Sequence, residues 1–146
     1  MPDFRDIQQT YMLIKTNRNN GGWEDGYQRF LAWCTVQETG SVTPLFSDDA
    51  VIRWHCTNES FTVTEYIRAN CDYPGDWDGT IERIEEVGNT IVLAGHVLSA
   101  DKRISCHVVS FIKLRNGKIS ELDEYWADDG DAPDWRREMR IGRPIR

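Results

Sequence analysis

"FIKLRNGKISELDEYWADD", residues 111–129, is the stretch from which the fold is read. "RNG" is hairpin punctuation, because Asn-Gly accepts the positive φ of a tight turn. The runs on either side therefore become adjacent antiparallel strands. On the second run side chains alternate faces, so Leu122, Glu124 and Trp126 share one face and Glu121, Asp123 and Tyr125 the other. The Leu/Trp face is the better one to bury. Of the five carboxylates in the stretch, Glu124 alone is set between two apolar neighbours. Glu121 and Asp123 face water by the same parity, and Asp128 and Asp129 follow as loop acids.

Upstream, "TIERIEEVG", "NTIVLAGHVLSA" and "RISCHVVSFIKLR" read as three further strands, which makes a four-strand meander. In the first of them Ile81, Ile84 and Val87 are spaced by three, which fits either a bulge or a helical turn. If "DK" is the turn between the second and third strands, His96 pairs with His107, Gly95 with Val108, and Val97 with Cys106. Leu93, Gly95, Val97, Cys106, Val108 and Ser110 then form one face, and Ala94, His96, Leu98, His107 and Val109 the other. The two adjacent histidines could bind a metal, but the sequence offers no third ligand, and a surface or interface pair is the preferred reading. No metal and no cofactor is expected.

Before the sheet, helical spacing of Phe4, Ile7, Tyr11 and Ile14 predicts a helix over about 3–18. A second helix, "WEDGYQRFLAWCTVQE", carries Trp33. "SVTPLFSDDA" is read as a short helix entering a strand at "AVIRWHC", with Asp48 and Asp49 in the turn. "TVTEYIRANC" opens with a Thr62–Glu65 capping box, so a helix runs to about Asn70. "DDGDAPDWRREM" suggests a short closing helix. Helices first and an antiparallel meander after make the chain α+β.

With 146 residues, 40% hydrophobic and 28% charged, the chain is expected to be one globular domain over 1–146. No membrane-length apolar run and no basic-then-apolar leader is present, so the protein is expected to be cytoplasmic and off the membrane. The scattered cysteines lack metal-ligand spacing and read as free thiols. Net charge is −7, which disfavours nucleic acid. Residues 136–146 hold five arginines and one glutamate, leaving −11 on residues 1–135. The tail, about 132–146, is expected to dock on its own or a sister body, with Trp135 as apolar anchor and Arg136 or Arg137 holding a carboxylate.

"PLFSDDAVI", "FIKLRNGKIS" and "ELDEYW", in this order, resemble the SnoaL-like branch of the nuclear-transport-factor-2-like superfamily over roughly residues 24–128. The resemblance implies a cone, a curved antiparallel sheet wrapped around N-terminal helices (a cystatin-like α+β barrel), with a deep pocket and often a homodimer through the convex face. Here that face would carry His96 and His107, with Ala94, Leu98 and Val109 needing cover. The resemblance puts Trp54 where ketosteroid isomerases carry their catalytic aspartate, Trp33 near their oxyanion-binding tyrosine, and Ser110 at their second aspartate. None of those groups is retained. The Arg-x-Asp of the limonene-epoxide-hydrolase type has no counterpart in "LAGHVLS" either.

What remains is an aromatic-walled site for a small apolar or aromatic molecule, lined by Trp33, Trp54, Tyr66, Leu93, Val108, Ser110, Leu122 and Trp126. Glu124 is the candidate acid/base of an isomerase, cyclase or dehydratase. The alternative is a non-catalytic ligand-binding or interaction domain whose tryptophans fill the core and whose glutamate is simply paired. A second polar group facing Glu124 would discriminate the two, and the sequence does not identify one.

Overall fold

The structure, a computed structural model, describes residues 46–71, 77–116 and 118–146. The two helices read before residue 40, with Trp33, lie outside the described residues, as do residues 41–45, 72–76 and 117. In chain order the described elements are β1 (Phe46–Trp54), β2 (Glu59–Phe61), α1 (Val63–Cys71), β3 (Trp77–Val87), β4 (Thr90–Ser99), β5 (Ser105–Arg115), β6 (Lys118–Asp128) and α2 (Asp134–Glu138). The strands form one sheet in the order β2-β1-β6-β5-β4-β3.

The meander β3–β6 is antiparallel throughout and has the expected register. His96 lies opposite His107, Gly95 opposite Val108 and Val97 opposite Cys106. Arg115 pairs with Lys118 across the Asn-Gly turn, where Asn116 takes φ 53°. The expected bulge-or-helix ambiguity in β3 resolves as a bulge. Ile81 pairs with Gly95 and Arg83 with Ala94, so Glu82 is the extra residue. The insertion keeps Ile81 and Ile84 on one face although they are three apart.

Two expectations need correcting. The sheet is mixed, because β1 runs parallel to β6, with Ile52 beside Leu122 and Trp54 beside Glu124. No hairpin joins these strands, so nothing in the local sequence sets their relative direction. Residues 46–50 are also strand rather than helix. Phe46 pairs with Ile119 and is buried, and Ser47 Oγ donates to the Ile119 carbonyl at 3.2 Å. Asp48 and Asp49 thus sit on an exposed strand segment, where Asp49 accepts from the Arg115 guanidinium at 2.9 Å. Hydrogen bonds from Ser47 and Arg115 hold the Asp49 carboxyl below the usual carboxylate range.

Across the strands the inward side chains fall into rows. Ile91, Ile112, Leu122, Ile52 and Phe61 make an apolar row running from β4 to β2. The next row is Ile84, Leu93, Ser110, Glu124 and Trp54. Gly95, Val108 and Trp126 follow. The first row holds much of the core, since Ile52, Ile91, Ile112 and Leu122 are all buried.

In the tail, the apolar anchor expected of Trp135 is not formed. Trp135 lies on α2 with 56% of its surface exposed, so it is not a buried anchor among the described residues. Arg136 lies over the Trp135 ring at 5.3 Å, and Arg137 pairs with Asp134 of its own helix. The tail meets the sheet through Arg146 instead, whose guanidinium lies 2.9 Å from His107 Nε2.

Ile112→Ala is expected to lower unfolding free energy by about 2–5 kcal/mol, as for other buried aliphatic truncations. Trp135→Ala should stay within about 0.5 kcal/mol of wild type. Urea unfolding of both variants checks this, and the reverse order would show that the tail carries core packing.

Candidate active site

The centre of the site is set by two registers. The β5–β6 pairing puts Ser110 opposite Glu124, and the β1–β6 pairing puts Trp54 on its other side. Glu124 has no exposed surface at all. A carboxylate so placed must be given hydrogen-bond donors, because water is excluded. The Tyr66 hydroxyl donates to Glu124 Oε1 at 2.6 Å, and the Trp126 indole N–H donates to Oε2 at 2.9 Å.

Tyr66 is delivered by α1. Thr62 caps that helix as the sequence predicts: the Glu65 amide donates to Thr62 Oγ1 at 3.3 Å, and the Thr62 hydroxyl donates to Glu65 Oε1 at 3.0 Å. The first helical bond, Tyr66 N–H to the Thr62 carbonyl at 2.9 Å, fixes the phase of the helix. That phase turns Tyr66 inward, where it is almost wholly buried.

The surrounding aromatics meet edge to face. Trp54 lies 4.7 Å from Phe61, 6.3 Å from Tyr66 and 6.5 Å from Trp126 between ring centroids. Such contacts hold ring orientations more firmly than burial alone. Leu93, Val108 and Leu122 are buried around them. Ser110 Oγ is buried and finds no hydrogen-bond partner among the described residues. The structure therefore brings together every residue named from the sequence for this site except Trp33, which lies outside the described residues.

Tyr66 was read from the sequence as an aromatic wall. Its phenol is the polar group facing Glu124 that the sequence left unidentified. It sits 58 positions away, on a different element, and only the capping box hinted at its phase.

The other four carboxylates of residues 121–129 lie elsewhere. Asp123 accepts from His55 Nε2 at 2.7 Å and pairs with Arg53 at 3.4 Å. Glu121 pairs with Arg53 and Lys113, each at 3.7 Å. Asp128 accepts from the Cys106 thiol at 3.3 Å. Burial first, and this bond second, push the thiol up to about 11. Asp129 is more than a loop acid, because it is bonded to both Ser105 and His107 on the outer face.

No family model matches the chain, and no curated protein matches it. Solved structures do. A candidate ketosteroid isomerase of Kribbella flavida is 20% identical, with 97% of this chain and 90% of that one covered at a TM-score of 0.65. An NTF2-like protein of unknown function from Burkholderia xenovorans is 19% identical, covering 94% of each chain at 0.56. A candidate SnoaL-like polyketide cyclase of Shewanella putrefaciens is 13% identical, covering 85% of this chain and 79% of that one at 0.55. At these identities the likeness is one of fold. The chain has an α+β fold like that of these structures. Among the described residues no helix is long and apolar enough to cross a membrane.

Tyr66→Phe removes one donor from a fully buried carboxylate and leaves the ring packing in place. It is expected to destabilise by about 1–3 kcal/mol. Thr62→Ala, acting only through the helix cap, should cost about 1 kcal/mol. Chemical denaturation of both checks the pair, and an unchanged midpoint for Tyr66→Phe would mean that the bond contributes nothing.

Proposed function

We propose that the chain binds a small apolar or aromatic molecule beside Glu124 and uses that carboxylate as the acid/base of an isomerase, cyclase or dehydratase reaction. The observation that carries this reading is a dry carboxylate held by a phenol and an indole, with an unpartnered serine hydroxyl next to it in the same row. A carboxylate in that setting can exchange a proton with a carbon acid, and the Ser110 hydroxyl can donate to an oxygen of the ligand. Trp54, Tyr66, Leu93, Val108, Leu122, Trp126 and Trp33 would form the apolar wall. In this reading residues 1–146 are one domain, and the sheet curls into a cone around the N-terminal helices. The protein works in the cytoplasm without cofactor. The neighbouring folds, described as candidate isomerases and cyclases, support the reaction class.

A second reading is favoured by a separate observation. Both oxygens of Glu124 already have donors, and three aromatic rings pack on Trp54. A glutamate so satisfied also suits a non-catalytic ligand-binding or interaction domain. The two readings separate by α-proton exchange of enolisable cyclic ketones in D2O, followed by NMR. Catalysis predicts exchange that falls by about 10²–10⁴-fold in Glu124→Gln. Tryptophan fluorescence that responds to the same ketones without any exchange would favour the binding domain.

The homodimer belongs to the same proposal. Val109, Phe111 and Tyr125 are exposed on the outer face of the sheet, with Phe111 packed edge-on against Tyr125 at 6.0 Å. A second copy laid on this face would cover them. Light scattering at micromolar concentration should give twice the chain mass, and Phe111→Glu should return the monomer mass. A wild-type monomer would end the dimer assignment.

A further inference from the structure

On the outer face, opposite Glu124, four strands converge on a second group of polar side chains. His96 and His107 stack with ring centroids 4.6 Å apart. The sequence offered no third ligand beside them, but the bulge in β3 supplies one. As the extra residue of the bulge, Glu82 faces outward, and its Oε1 lies 3.5 Å from His107 Nε2. One ligand atom from each of Glu82, His96 and His107 lies within 4.8 Å of the others. We propose that these three residues form a binding site for a divalent transition-metal cation of the zinc type.

The state of His107 fits this role. Arg146 has only N–H donors, and its guanidinium lies 2.9 Å from His107 Nε2, so that nitrogen offers its lone pair. The ring hydrogen therefore sits on Nδ1, where it is donated to Asp129. A carboxylate on one imidazole nitrogen with the other free is the arrangement that orients a histidine toward a metal. Asp129 is itself fixed. Its Oδ2 accepts from the Ser105 hydroxyl while its Oδ1 holds His107 Nδ1. His96 completes the group, its Nε2 held 2.6 Å from Ser105 Oγ and 3.5 Å from Asp129 Oδ2, so that the other ring nitrogen is left for an ion.

Two imidazoles and a carboxylate are a donor set for zinc and neighbouring first-row ions rather than for calcium or magnesium. The ligand atoms must close by up to about 1.5 Å to reach tetrahedral spacing. The half-exposed Glu82 side chain permits that movement. Arg146 meanwhile puts a positive charge on the same nitrogen, so the C-terminal guanidinium competes with the ion for one place.

The test uses the full-length chain with Zn²⁺ and Co²⁺ alone. Calorimetry should show one Zn²⁺ per chain, at least tenfold weaker in Glu82→Gln, His96→Asn and His107→Asn, and no comparable uptake of Mg²⁺. Arg146→Ala should bind more tightly than wild type. The Co²⁺ form should show d–d bands without a thiolate charge-transfer band, which excludes the cysteines as ligands. Thermal unfolding without metal, similar in all variants, shows that each is folded. Absence of Zn²⁺ binding to the wild type, a thiolate band, or wild-type affinity in Glu82→Gln and His107→Asn would each overturn the site. Weaker binding by Arg146→Ala would overturn the competition.

Discussion

A carboxylate with no access to water constrains everything packed against it. Leaving Glu124 without donors would cost several kcal/mol, a large part of the net stability of a domain this size. The Tyr66 phenol and the Trp126 indole provide those donors from two directions. Trp126 comes with the strand, two residues on. Tyr66 must be carried in by α1, so the position of that helix against β1 is coupled to the Tyr66–Glu124 hydrogen bond. The Thr62 cap, the inward phase of α1 and the edge-to-face contact of Tyr66 with Trp54 are all consistent with that single requirement.

How much of this was legible in the sequence depends on how far apart the partners are. The alternation in "SELDEYW" and the Asn-Gly turn set the register of β5 and β6 and isolated Glu124, because strand parity is a local property. The same holds for the pairing of His96 with His107. What escaped is non-local. The parallel pairing of β1 with β6 joins residues about 70 positions apart, and no turn records it. The phenol on Glu124 comes from another element, although the helix that carries it was read correctly. The outer-face role of Asp129 depends on Ser105 and His107 across a strand pair. Trp135 illustrates the opposite failure. Its size suggested an anchor, but among the described residues more than half of it stays exposed, with Arg136 over its ring.

The sheet divides its polar chemistry between its two faces. Inward, Glu124 and Ser110 lie in an apolar setting. Outward, acids and bases pair in short ladders: Asp123 with Arg53 and His55, Glu121 with Arg53 and Lys113, Asp49 with Arg115. These exposed pairs add little stability singly. Their effect is on partner choice, since they surround the apolar patch of Val109, Phe111 and Tyr125 with fixed charges of both signs.

The bulge in β3 has one more consequence. Among the described residues β3 is the last strand on its side of the sheet, eleven residues long, with nothing hydrogen-bonded to its outer edge. A straight strand of that length would be a template for intermolecular pairing and fibril growth. The inserted Glu82 breaks the regular repeat of amides along the edge, and Arg83, Glu85 and Glu86 place charge on the same border. An approaching strand would have to match an interrupted register and desolvate those charges. The extra residue thus works against strand addition along the β3 edge of the described sheet.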